Sequence, residues 1–243
     1  MNLQEFPVRL KEDIEDQSLS ILKKINDDII VIGGWGVRSH LGKHHGRYTL
    51  DIDGVCEKQG LEVVCEKLKD AGLNVTKQAW GVKFFQSYVP TVEVPLDIEK
   101  EVGEVELRIE ISGPRISEAY SSHFFEFSLE KFDQKEIFFH SSDESVGVRV
   151  PSVEVLTANK LGLPTDYKNV FDALMLLQRC DIEEVIKKIL SSDDWGGLVI
   201  RRMPKIIGRL KDKTDLVNML LVSRGVDVAK QIDILRDIEK SIR

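Results

Sequence analysis

Read for the spacing of its apolar positions, the chain changes character at Val150-Pro151-Ser152: alternating and short apolar runs dominate before it, helical spacing after it. Leu3 to Asn26 places Ile14, Leu19, Ile21, Leu22 and Ile25 at intervals that predict an amphipathic helix. The apolar run Ile29 to Ile32 ends on Gly33-Gly34, which predicts a strand, a glycine turn and a helix carrying Val37 and Leu41 inward. In the next strand Leu50 and Ile52 fall on one face and Thr49, Asp51 and Asp53 on the other. Gly60 to Gly72 reads as a helix ended by a glycine of C-cap type. Val75–Ala79 and Val82–Tyr88 are short strands around Trp80-Gly81. Glu104 to Ser112 alternates most cleanly, with Val105, Leu107, Ile109 and Ile111 opposite Glu106, Arg108 and Glu110. Phe124 to Phe139 is aromatic strand material, read as core rather than as a base-stacking stripe.

In the second half, Val153–Gly162 and Asp166–Leu177 are helices separated by Pro164, which does not continue a helix. Ile182 to Arg243 is helical throughout, with Asp227–Arg243 as a terminal packing or oligomer helix. Residues 200 to 210 divide into an apolar face (Ile200, Met203, Ile206, Ile207, Leu210) and a basic one (Arg201, Arg202, Lys205, Arg209), with a kink expected at Pro204. The expected class is α+β: a mixed β-sheet flanked by helices over residues 1–150, followed by a helical domain over 151–243.

Composition narrows the function classes. The 243 residues are 42% hydrophobic and 31% charged with a net charge of −7, which argues against coating nucleic acid by bulk attraction. Cys56, Cys65 and Cys180 show neither a disulfide framework nor zinc-knuckle spacing. No apolar run of membrane-spanning length and no signal-peptide pattern occurs, so the expected compartment is the cytoplasm, without membrane attachment.

The chemistry concentrates between Ile30 and Gly54, IVIGGWGVRSHLGKHHGRYTLDIDG. Glycines at a helix start let an anion approach free backbone amides. Asp51 and Asp53 lie on one strand face about 6–7 Å apart along the strand, a spacing that suits one Mg²⁺ or a pair. The two features together describe a site for a nucleoside triphosphate and metal. His40, His44 and His45 lack further ligands for a zinc site. Arg47, two residues before Thr49, can reach a triphosphate or sit on an exposed loop.

The order apolar-GG, helix, hDhD resembles the signature of the nucleotidyltransferase superfamily, the DNA polymerase β-like fold. Within it, GGWGVRSHLGKHHGRYTLDID is similar to the AbiEii-type and the aminoglycoside and lincosamide nucleotidyltransferases. The sixteen residues between Gly34 and Asp51 exceed the interval of the most compact members. The resemblance implies a third carboxylate on a strand beside the aspartates. Glu110 in Arg-Ile-Glu-Ile-Ser is the choice, Asp97 the competitor, and Glu106 is about 13 Å along the strand from Glu110. It further implies that Gly33, Gly34, Arg47 and Lys160 position the nucleotide. Ala158-Asn159-Lys160-Leu161 and Lys168-Asn169-Val170-Phe171-Asp172 match the AbiEii pattern, with Asp172 bracing Lys160 and Asn169 standing where aspartate is more usual.

The implied activity is Mg²⁺-dependent transfer of a nucleoside monophosphate from an NTP to an acceptor hydroxyl on a small molecule, tRNA or protein. Asp51, Asp53 and Glu110 would be the catalytic metal ligands. A role as the toxin of a toxin–antitoxin pair follows from the AbiEii resemblance. The alternative is a catalytically inactive nucleotide- or partner-binding module with the same fold.

Overall fold

The computed structural model describes residues 6–42, 45–117, 123–192 and 194–243. In chain order the first elements are α1 (Val8–Leu22), β1 (Ile30–Ile32), α2 (Gly33–Leu41), β2 (Asp51–Val55), α3 (Lys58–Asp70), β3 (Asn74–Gln78), β4 (Gly81–Ser87), α4 (Glu99–Gly103) and β5 (Glu106–Ser112). There follow β6 (Arg115–Ser117), β7 (Phe124–Glu126), β8 (Asp133–Phe138), β9 (Ser145–Val150), α5 (Val153–Leu161), α6 (Tyr167–Leu177), α7 (Ile182–Leu190), α8 (Trp195–Lys211), α9 (Leu216–Ser223) and α10 (Val228–Ile242). The chain divides into two compact units, one running to Pro114 and resuming over Ser128–Pro151, the other made of Arg115–Phe127 and Ser152–Arg243.

The first unit is organised on a mixed sheet of order β1-β2-β5-β4-β3. β2 and β5 are parallel and the other neighbours antiparallel. A parallel pair needs a crossover, and the chain supplies it with α3, the β3–β4 hairpin and α4. The alternation in β5 sorts as expected: Leu107, Ile109 and Ile111 are buried, while Arg108 on the other face is exposed. Ile14, Leu19 and Leu22 of α1 and Val64 and Leu68 of α3 join these residues in one core. Burial of each such side chain contributes about 1.5–3 kcal/mol. Covering one face leaves the other free to carry Asp51, Arg108 and Glu106.

Two boundaries differ from those the spacing suggests. α1 starts at Val8 behind Pro7, whose fixed φ suits a helix entry, and ends at Leu22 rather than Asn26, while Leu3 lies outside the described residues. The aromatic stretch Phe124–Phe139 is not one piece, because β7 belongs to the second unit and β8 to the first. β9 is a strand not among those expected. Val146, Val148 and Val150 alternate and are buried, and the strand pairs with β8 in a hairpin beside β1 and α2.

In the second unit the helix starts are set by short polar side chains. Ser152, Asp166, Asp181, Asp215 and Asp227 each accept a hydrogen bond from an amide in the first turn they precede. Such a cap stabilises by about 1 kcal/mol. Trp195 is fully buried, donates from Nε1 to the Ala158 carbonyl at 2.9 Å, and packs on Phe125 with ring centroids 5.2 Å apart. Pro204 sits inside α8, which runs on to Lys211. Among the described residues, no helix is long and apolar enough to cross a membrane.

Candidate active site

The apolar run Ile30–Ile32 forms β1, and α2 begins directly at Gly33 without an intervening turn. Gly33 makes the change of direction at φ +61°, a conformation that L side chains rarely adopt. Ile32 is paired with Asp53 in the antiparallel β1–β2 register, so the acidic strand passes beside the first turn of α2. A Cβ on Gly33 would stand 2.0 Å from Asp53 Oδ2. A Cβ on Gly34 would stand 2.4 Å from Thr49 Oγ1 and 3.1 Å from Arg47 Nη2. The two glycines therefore admit Asp53, Thr49 and Arg47 to the helix N-terminus, where amides without intrahelical partners favour negative charge.

Asp51 and Asp53 share the open face of the sheet. Asp53 is in register with Glu110 on β5, and Glu110 with Lys83 on β4; two residues along, Asp51 is in register with Arg108. Neighbouring strands lie about 4.7–4.9 Å apart, so Asp53 and Glu110 are adjacent on one face. Asp97 lies in a 3-10 turn over Leu96–Ile98, off the sheet. Glu110 Oε1 is 3.3 Å from Lys83 Nζ, and Glu106 pairs with Arg108 at 3.2 Å. Among the described residues, no three acidic, histidine or cysteine side chains converge as a metal-ligand group. The backbone makes the three carboxylates neighbours, whereas their like charges favour separate cationic partners such as Lys83.

In the second unit, Lys160 and Asp172 are both buried and paired at 3.1 Å. Asn169 Oδ1 accepts from Lys160 Nζ at 3.1 Å, while Asn169 Nδ2 donates to Asp166 Oδ2 at 2.8 Å. An aspartate at 169 would lack that second contact, because an ionised carboxylate only accepts. Asn169 is thus tied to the start of α6. The basic face of α8 is divided among local partners: Arg201 contacts His123 at 2.9 Å, and Arg209 binds Asp215 at 2.9 Å and the Thr165 carbonyl at 2.7 Å. His40 contacts the Pro151 carbonyl at 2.8 Å, His45 is buried, and His44 lies outside the described residues.

The spacing gives no hint of Glu15, a fully buried carboxylate on α1. It accepts from the Thr49 amide at 2.7 Å and from Arg38 Nη1 at 3.0 Å, and lies 2.6 Å from His140 Nε2. Next to it, Asp16 accepts from the amides of His140 and Ser141 at 2.7 and 2.9 Å. Burial, then the charges of Glu12 and Glu15, push the Tyr48 hydroxyl above its ordinary pKa, while Arg38 opposes them. These partners are 23 to 125 positions apart in the chain, so no local motif could reveal them.

A helix opening on a close-packed glycine pair, an in-register acidic pair on parallel neighbours and a helical second unit together define a nucleotidyltransferase-like α+β fold. Two solved structures share it across nearly the whole chain. One is the "putative nucleotidyltransferase from H. pylori", at 15% identity and TM-score 0.53, covering 98% of this chain and 97% of that one. The other is JHP933 from Helicobacter pylori, at 14% identity and TM-score 0.55, covering 98% and 95%. No family model and no curated protein matches the sequence.

Proposed function

We propose that this protein is a Mg²⁺-dependent nucleotidyltransferase that moves a nucleoside monophosphate from an NTP to an acceptor hydroxyl. The observation that carries the reading is the register of Asp53 with Glu110, beside a helix start where Gly33 abuts the Asp53 carboxylate. The donor set fits the metal: carboxylate oxygens on adjacent strands are hard ligands, and Mg²⁺ binds through one or two carboxylates plus substrate phosphates. Asp51, Asp53 and Glu110 would hold it, with Glu110 leaving Lys83 by side-chain rotation. When bound, Mg²⁺ neutralises phosphate charge and favours attack at the α-phosphorus.

The remaining work belongs to the chain. The α2 amides freed by Gly33 and Gly34, with Arg47, bind and orient the triphosphate. Glu110, adjacent to the aspartates, takes the proton of the acceptor hydroxyl. The acceptor oxygen then bonds to the α-phosphorus, the bond to the β-phosphate oxygen breaks, and pyrophosphate leaves. The acceptor class, whether a small molecule, tRNA or protein, is to be found by experiment. The resemblance to AbiEii-type proteins makes growth arrest on expression the phenotype to examine, as for a toxin.

A second reading, an inactive nucleotide- or partner-binding module, is favoured by the Glu110–Lys83 ion pair. The two separate in one assay. The protein is incubated with each NTP labelled at the α-phosphate, Mg²⁺, and RNA, itself or small hydroxylated compounds as acceptor, beside an Asp51→Ala/Asp53→Ala control. Label transfer lost in the control supports the enzyme. NTP binding without transfer to any acceptor supports the module, and no NTP binding sinks the site assignment.

A further inference from the structure

Glu15 is an expensive residue for the interior. A buried carboxylate must be paired and hydrogen-bonded to stay ionised. A buried ion pair is also often no more stabilising than well-packed apolar side chains of the same volume. What the carboxylate does accomplish is to join pieces of chain that are remote in sequence. Oε1 accepts from the Thr49 amide at 2.7 Å and from Arg38 Nη1 at 3.0 Å, and Oε2 lies 2.6 Å from His140 Nε2. His140 Nε2 also lies 3.0 Å from Arg38 Nη2, so the ring touches both members of the Glu15–Arg38 ion pair. Arg38 Nη1 also reaches the Arg47 carbonyl at 3.5 Å.

Each of these partners leads to the nucleotide end of α2. Thr49 fills the space that a Cβ on Gly34 would take, Arg47 Nη2 is its other neighbour there, and Arg38 stands one turn further along the same helix. On the far side, Glu12 Oε1 is 3.8 Å from His140 Nδ1, and Asp16 holds the His140 and Ser141 amides, so the histidine is fixed from α1 at both ring and backbone.

We infer that Glu15 is a positioning residue of the nucleotide site. Its carboxylate sets the segment Arg47–Thr49 against the first turn of α2, so that the glycine amides and the Arg47 guanidinium face a triphosphate together. This rests on the proposed nucleotidyltransferase reading. Glutamine has nearly the same shape, but with its carbonyl turned to the Thr49 amide its NH₂ faces Arg38 Nη1, which lies 2.9 Å from Oε2, so Glu15→Gln keeps the volume and loses the charge and that half of the clasp.

The test measures binding of Mg²⁺ with each of the four NTPs, and the KM and kcat of any transfer, for wild type, Glu15→Gln and His140→Ala, alongside thermal unfolding. Positioning predicts NTP binding weakened at least tenfold in Glu15→Gln and severalfold in His140→Ala, with KM raised more than kcat is lowered. A purely structural role would lower the melting temperature and leave the KM of the folded fraction unchanged, which overturns the inference. His140→Ala decides the matter should Glu15→Gln fail to fold, because His140 is partly exposed and its removal leaves α1 packed. Absence of NTP binding in wild type would instead overturn the nucleotidyltransferase reading itself.

Discussion

The approach of Gly33 to Asp53 makes Gly33→Ala the most informative single change. Two costs add there. An L side chain at φ +61° is penalised by about 1–2 kcal/mol. The new Cβ would also lie 2.0 Å from Asp53 Oδ2, so the carboxylate must retreat by about 1.4 Å to reach an ordinary contact of 3.4 Å. Asp53 is short and anchored on a paired strand, so the overlap behaves as overpacking, at about 1–3 kcal/mol. The sum is about 2–5 kcal/mol. Gly72→Ala isolates the first term, since Gly72 has φ +84° and nothing within 4 Å of its Cβ position. Gly34→Ala isolates the second, with no positive φ and with its Cβ 2.4 Å from Thr49 Oγ1 and 3.1 Å from Arg47 Nη2. The assay is urea unfolding of the three variants with Mg²⁺-NTP binding in parallel. Gly33→Ala should lose the most stability and at least tenfold in binding, whereas Gly72→Ala should bind as wild type. Equal losses of stability in Gly33→Ala and Gly72→Ala, or full binding by Gly33→Ala, would refute the close approach on which the site rests.

Three further outcomes are expected. Asp172→Ala leaves the buried Lys160 without its carboxylate and should cost about 3–5 kcal/mol in urea unfolding; a loss below about 1 kcal/mol, the range of exposed pairs, would contradict a buried ion pair. Asn169→Asp should destabilise by about 0.5–1.5 kcal/mol because the donor to Asp166 is lost. The deficit should shrink near about pH 4, where the introduced carboxyl regains a proton, and a neutral effect at pH 7 would show that the donor is dispensable. Burial pushes the Cys56 thiol up to about 11, with the neighbouring Cys65, Asp28 and Glu57 adding to it. Below pH 9 both folded and unfolded thiols keep their proton; between about 9 and 11 the unfolded chain releases it first, so stability falls as pH rises. A urea midpoint independent of pH across that window, with Cys56 alkylated as fast as Cys65, would count against the burial.

Local chemistry made much of this protein readable before any fold was known. The period of two in Glu106–Ser112 reports a strand with one covered face, because successive side chains point to opposite sides. The glycine pair and the two aspartates announce backbone approach and hard-ligand chemistry for the same reason: their properties travel with the residues.

Pairing between distant segments carried no such mark. Glu110 and Asp97 are equally acidic in the sequence. Register alone sets Glu110 beside Asp53, since β5 pairs with β2 while Asp97 lies in a turn. Val146, Val148 and Val150 give too short an alternation to stand out until β8 pairs with them. Glu15 is one acid among several on an amphipathic helix, and only the fold brings Arg38, Thr49 and His140 to it. The sequence by itself determined most of the elements and the chemistry they carry, because those depend on neighbours within a few residues. The tertiary structure decided which carboxylates meet and which glycine touches which strand, because contacts across the chain depend on sheet order and register.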